Sequence, residues 1–154
     1  MQFIKITESD FDELKRLHLL TGVSDLSTSF GISIEIAKKI TEDQFHQSLP
    51  NGFETKEHYF YFIKDDSGEL LGHIWFCVRD FFGVQKIFLN DIRIDEACRG
   101  RGFGKESMAW LEGKAKDLGF HEIALHVYGC NGTARKLYEN LDFVPTSIHM
   151  SKKL

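Results

Sequence analysis

The sequence is short of proline, with only Pro50 and Pro145, and no stretch of it reads as a linker or as low-complexity. A multidomain chain joined by stiff or flexible spacers is therefore not expected. Cysteine is sparse too. Cys77, Cys98 and Cys130 are odd in number and widely spaced, which suits neither a disulfide framework nor a zinc site. The histidines show no H-E-x-x-H spacing, so no metal is expected. No apolar run approaches the roughly 20 residues of a membrane helix. The start, Met1 to Lys5, lacks a basic stretch followed by an apolar one, and the end, Lys152-Lys153-Leu154, is not a peroxisomal address. A cytoplasmic protein with no membrane partner is expected. Positive charge is also in the minority, 19 Lys and Arg against 23 Asp and Glu, for a net charge of -4 and a pI near 6.0. That balance argues against a nucleic-acid partner.

What is present is a chain of 154 residues with 14 Phe, enough for one aromatic-rich core and read as a single domain over residues 1–154. Gln2 to Ile6 suits a first strand. Thr7-Glu8-Ser9-Asp10 offers N-cap chemistry to a helix carrying Phe11, Leu14, Leu17 and His18. Gly22 to Gly31, rich in Ser, Thr and Gly, reads as a loop. Ser33 caps a second helix with Ile34, Ala37, Ile40 and Phe45, stopped by Leu49-Pro50-Asn51-Gly52. Strands at Tyr59–Lys64, Leu70–Val78 and Lys86–Ile94, separated by turns, make an antiparallel meander. A helix with Met108, Leu111, Ala115 and Leu118 follows, ending at Gly119. A strand at Glu122–Tyr128, a helix with Ala134, Leu137, Tyr138 and Leu141, and a final strand at Phe143–Met150 complete the chain. The order implies an α/β chain of the α+β type. Its central sheet is mixed and mostly antiparallel, flanked by about four helices.

The most informative segment is Arg99-Gly100-Arg101-Gly102-Phe103-Gly104-Lys105, which opens the third helix. Glycines at a helix N-terminus let backbone N–H groups approach an anion, and Arg99, Arg101 and Lys105 add positive charge. A P-loop is excluded, because Arg99 stands where its first Gly belongs and Glu106 where Ser or Thr must hold magnesium. A dinucleotide fingerprint needs G-x-G-x-x-G within a βαβ unit; here the spacing is G-x-G-x-G after a meander.

The segment matches Q/R-x-x-G-x-G/A, with Arg99, Gly102 and Gly104 at the fixed positions. Downstream, Asn131, Ala134, Leu137, Tyr138 and Phe143 fall in the pattern N-x-x-A-x-x-L-Y-x-x-x-G-F. On these blocks the chain resembles the GNAT N-acetyltransferases. The Leu49–Thr55 segment and the ending Met150–Leu154 are similar to a bacterial subgroup of them. Two positions depart from the pattern: Glu96 stands where Pro is common, and Asp142 where the closing Gly-Phe has its Gly.

The resemblance implies transfer of an acetyl group from acetyl-coenzyme A to a primary amine of a small molecule or a peptide, by direct attack in a ternary complex. It places Arg99, Gly100, Arg101, Gly102, Phe103, Gly104 and Lys105 on the diphosphate. It places Ile92, Arg93 and Ile94 along the pantetheine arm through their backbone, near a bulge, and Asn131 and Ala134 beside that arm. Tyr138 is the implied acid for the leaving thiolate, and Asp91 the candidate base. Strand alternation sets Asn90 and Asp91 on opposite faces unless a bulge changes the phase. Glu54, Glu57 and His126 are reserve bases, although His126, in its strand, reads more simply as structural. Cys98 and Cys130 have no nearby His partner and read as bystanders. A non-catalytic acyl-coenzyme A sensor on the same fold is the alternative, and a homodimer is compatible with aromatic-rich edge strands.

Overall fold

The run of aromatic and β-branched residues His58–Lys64 forms a strand, β2, in the computed structural model, which describes residues 1–152 and 154. It pairs antiparallel with β1 (Gln2–Lys5) on one side and β3 (Leu70–Phe81) on the other. A turn at Phe82-Gly83 leads into β4 (Val84–Ile94), again antiparallel. Helix α3 (Phe103–Asp117) then crosses over, and β5 (Ile123–Leu125) joins β4 in parallel, as a crossover connection requires. The sheet order is β1-β2-β3-β4-β5, mixed and mostly antiparallel.

Every residue from Leu71 to Cys77 is buried, so the sheet is covered on both faces. On one face α3 sets Met108, Leu111 and Ala115 against Ile74, Phe76, Ile87 and Leu89. On the other, α1 (Phe11–Phe30) and α2 (Ile34–Ser48) set Leu14 and Phe45 against Phe60 and Trp75. Adjacent Trp75 and Phe76 thus point to opposite layers. The aromatic core expected from the 14 Phe is present: Phe11 lies edge-on to Phe53 and Phe60 at 5.8 and 5.6 Å. A fourth helix, α4 (Gly132–Glu139), follows β5.

Three expectations from the sequence are corrected. The segment Gly22–Gly31 is not a loop, because α1 continues through it to Phe30. Gly22 is there for packing: a Cβ on it would lie 2.8 Å from Thr41 Cγ2, so the glycine lets α1 and α2 approach. The helix stops at Gly31, which is left-handed at φ 64° and donates its N–H to the Ser27 carbonyl. Next, β5 holds only Ile123–Leu125, not Glu122–Tyr128, so His126 lies beyond the strand.

The expected final strand at Phe143–Met150 does not form. The Phe143 N–H is taken by the Tyr138 carbonyl, Pro145 has no N–H to give a ladder, and the residues that follow are exposed. Asp142 does adopt the left-handed turn, at φ 63°, where the sequence pattern has Gly.

Candidate active site

A single extra residue in β4 builds the site. Phe76 opposes Leu89 and Trp75 opposes Asp91, so Asn90 is bulged out of the ladder. The bulge turns Asp91 from the α3 face of the sheet to the α1–α2 face. Asn90 lies on that same face, since Arg79 Nη2 donates to its Oδ1 at 3.2 Å and Arg79 alternates in step with His73 and Trp75. Asn90 and Asp91 therefore share a face, through the change of phase that a bulge brings to strand alternation. The same irregularity ends the β4–β5 ladder. The two strands pair only over Ile87–Leu89 and Ile123–Leu125, and beyond Leu89 this edge of β4 has no ladder partner among the described residues.

Asp91 lies just beyond the end of that ladder and is almost enclosed. Its Oδ2 lies 2.7 Å from His18 Nδ1, on α1, and 3.0 Å from His73 Nε2, on β3. Burial pushes the Asp91 carboxyl up, but the two imidazole bonds and their charge outweigh it and hold the group well below the carboxylate range. Next along β4, Arg93 turns to α1 and gives its Nη1 to Thr21 Oγ1 at 2.7 Å. Ile92 and Ile94 pack towards the α3 layer. The side chains of Ile92, Arg93 and Ile94 are thus engaged with the fold, and their backbone lies beyond the stretch that pairs with β5.

The glycine loop lies at the start of α3. Gly100 and Gly102 are left-handed, at φ 76° and 89°, and Gly102 is the N-cap. The helical ladder begins with Glu106 N–H to the Gly102 carbonyl, which leaves the N–H groups of Phe103, Gly104 and Lys105 outside it. Arg99, Arg101 and Lys105 are exposed beside them; Arg99 Nε donates to the Ile94 carbonyl, and Arg101 lies over the Phe103 ring at 4.9 Å. Free N–H groups, the helix dipole and exposed cations at one end of a 15-residue helix suit a diphosphate. Gly104 differs from its neighbours. Its φ is not left-handed, and a Cβ on it would lie 3.3 Å from Leu137 Cδ2, so it allows α3 to pack on α4.

Helix α4 closes the other side. Asn131 caps it, its Oδ1 accepting from the Ala134 N–H at 3.0 Å, which leaves the amide NH₂ free to donate elsewhere. Ala134 is half-buried against the core. Tyr138 is buried in the last turn, its ring 5.7 Å from that of Phe143. Burial, and then the negative charge of Asp91, push its phenol up to about 12. A second carboxyl enters from α1: burial and the Asp91 charge push Asp25 up, against a hydrogen bond from Asn131. The reserve bases stand apart. Glu54, Glu57 and His126 are exposed and are not among the hydrogen-bond partners of Asp91.

Residues 25–143 match the Acetyltransferase (GNAT) family, a stretch that takes in the bulged strand, the glycine loop and α4. The chain belongs to the GNAT acetyltransferases. It is similar to YycN, an uncharacterized N-acetyltransferase of Bacillus subtilis (strain 168), with 35% identity over 120 residues, 78% of this chain and 77% of the relative. It is also similar to YdgE, another uncharacterized N-acetyltransferase of that organism, with 29% identity across 97% of this chain and 95% of YdgE. The crystal structure of YycN superposes with a TM-score of 0.92 over 99% of this chain and 98% of that one, at 28% identity. A Clostridium acetobutylicum acetyltransferase solved with acetyl-CoA shares the fold, with a TM-score of 0.68 at 18% identity over 99% and 95% of the two chains.

This GNAT acetyltransferase therefore uses acetyl-coenzyme A as its donor. Among its described residues no group of His, Cys, Asp and Glu could hold a metal ion. Three side chains at its site were not assigned from the sequence: His18, His73 and Asp25. The one available signal was His18 itself, a polar residue in register with the apolar face of Phe11, Leu14 and Leu17.

Proposed function

We propose that the acceptor is a primary amine of a small molecule or a peptide, and that it attacks the acetyl-coenzyme A thioester directly, in a ternary complex. The observation that carries this reading is an enclosed carboxylate, Asp91, and a buried phenol, Tyr138, whose proton is held first by its own burial and then by the charge of Asp91. An ammonium is attracted to the carboxylate, and a departing thiolate needs the phenol's proton. In this reading the loop Arg99–Lys105 anchors the diphosphate, and the backbone of Ile92–Ile94, with Asn131 and Ala134, holds the arm that carries the thioester. Residues 1–154 work as one domain. The net charge of -4 favours an amine metabolite or peptide over nucleic acid. Free cysteines at positions 77, 98 and 130 suit the reducing cytoplasm, and no helix among the described residues is long and apolar enough to cross a membrane.

Two measurements test the reading. A panel of amines offered with acetyl-coenzyme A, read by mass spectrometry, is expected to yield an acetylated primary amine; no product from any amine would remove the catalytic assignment. In thermal shift, acetyl-coenzyme A at a hundredfold excess over its Kd is expected to stabilise the protein by about 2.7 kcal/mol. ATP and NAD should do much less, because the loop has neither the magnesium hydroxyl of a P-loop nor the dinucleotide spacing. Equal shifts from all three would overturn the donor site.

We also propose that two copies associate through the C-terminal tail. Val144, Ile148 and Met150 recur at even positions, as on one face of a strand, yet are 76%, 73% and 86% exposed. Among the described residues, no strand pairs with the outer edge of β5. A tail laid on the β5 edge of a second copy would give both their missing partner. Sedimentation is expected to give a dimer for the wild type and a monomer for an Ile148→Lys, Met150→Lys double variant. A monomeric wild type would overturn the proposal.

A further inference from the structure

We propose that His18 takes the proton from the acceptor amine, with Asp91 positioning it rather than acting as the base. The inference rests on the amine-acetylation reading above. A carboxylate accepts hydrogen bonds and does not donate, so both imidazoles donate to Asp91 Oδ2. His18 then carries its proton on Nδ1, and in the neutral ring the lone pair lies on Nε2. His73 donates from Nε2, and its Nδ1 has no hydrogen-bond partner among the described residues.

Exposure separates the two rings. The His73 side chain is 0% exposed and sealed under α1, whereas that of His18 is 19% exposed. His18 is the ring an amine can reach. Its orientation is fixed by Trp75, edge-on at 5.2 Å, and by Phe45 at 5.6 Å. Asp91, with both imidazoles on its Oδ2 and held well below its ordinary range, is a poor proton acceptor at neutral pH. An imidazole is the side chain that changes charge between about pH 5 and 8.

Charged groups of both signs lie on the elements around His18. The anions are Asp91 on β4, bonded to His18 itself, and Asp25 further along α1. The cations are Arg93 on β4, bonded to Thr21 of α1, and Lys15 on α1, which is 3.1 Å from His46 of α2. His73 on β3 shares the Asp91 oxygen, and Tyr138 on α4 stays neutral.

The proton balance is complete with these residues. An N–H proton of the ammonium moves to His18 Nε2, and the freed lone pair forms the N–C bond. The C–S bond breaks as sulfur takes the phenolic proton of Tyr138. The second proton, lost from the acetylated nitrogen, restores the phenol through solvent, and His18 releases its own proton to solvent.

The tautomer can be read without any acceptor. Nitrogen-15 NMR of the histidine-labelled protein is expected to show neutral His18 with its proton on Nδ1, and Nε2 taking up the proton on acidification. A neutral ring protonated on Nε2 would overturn the proposal, whatever the amine panel yields. With the best amine from that panel, His18→Gln is expected to lose about 10²–10⁴-fold in turnover. It should also lose the acid limb of the kcat/KM profile, while calorimetric binding of acetyl-coenzyme A is unchanged. Added imidazole should restore part of the rate to His18→Ala. An acid limb retained in His18→Gln, with or without loss of rate, would return His18 to a packing role and overturn the proposal. Failure of every amine with wild-type protein would sink the functional reading instead, and the tautomer would still decide the role of His18.

Discussion

Tyr138→Phe is expected to lower turnover by about 10²–10⁴-fold while leaving the Kd of acetyl-coenzyme A nearly unchanged. The substitution keeps the buried ring and its contact with Phe143 and removes only the proton donor. An ordinary thiol has a pKa of about 8.5, so a phenol held at about 12 is a weak donor to it in the resting enzyme. Part of that elevation is the charge of Asp91. When the amine's proton enters the His18–Asp91–His73 array, it offsets the negative charge of Asp91 and the phenol becomes a better acid. The two proton transfers are thus coupled: taking the first eases the second. The loss in the Phe variant should appear in kcat and kcat/KM alike, as for an interaction made only in the transition state. A loss confined to acetyl-coenzyme A binding would make Tyr138 a cofactor contact, and an unchanged rate would make it a core aromatic.

The parts of this site that were legible in the sequence are local ones. The glycine loop, the Asn131 cap and the register of Ala134, Leu137 and Tyr138 each depend on residues a few positions apart, where helix spacing and cap chemistry act. Asp91 was legible as a residue, but its surroundings were not. Its partners His18 and His73 lie 73 and 18 positions away, and they meet it only because Asn90 is bulged. No propensity marks the bulge, which arises from the pairing of two whole strands. Gly22 misled for a similar reason. Within a Ser- and Thr-rich stretch a glycine reads as a turn, but here it makes room for Thr41 of a helix formed later in the chain. The tail shows the converse. Its strand-like alternation is real, and the fold of one copy offers it no ladder.

Gly102→Val is expected to weaken acetyl-coenzyme A binding by about 10²-fold, the equivalent of about 3 kcal/mol or one to two lost charge-assisted hydrogen bonds. Sterics within the free protein do not explain this, since a Cβ at Gly102 would meet only Glu106 Oε1, at 4.0 Å. The cost lies in the backbone. Gly102 holds φ 89° at the N-cap of α3, a conformation that a β-branched residue leaves at a gain of about 1–2 kcal/mol. Leaving it turns the N–H groups that precede the helical ladder away from the point on which they converge. The protein should remain folded, with its melting temperature lowered by only a few degrees, about 2–4 °C per kcal/mol for a chain of this size. Gly104→Ala provides the contrast. Its backbone is ordinary and its added methyl meets Leu137 Cδ2 at 3.3 Å, so its effect should fall on α3–α4 packing and stability more than on affinity. Calorimetry and thermal denaturation on the two variants separate the roles. Wild-type affinity in Gly102→Val would mean that the diphosphate is held elsewhere, and that the cations at Arg99, Arg101 and Lys105 serve solubility rather than the donor.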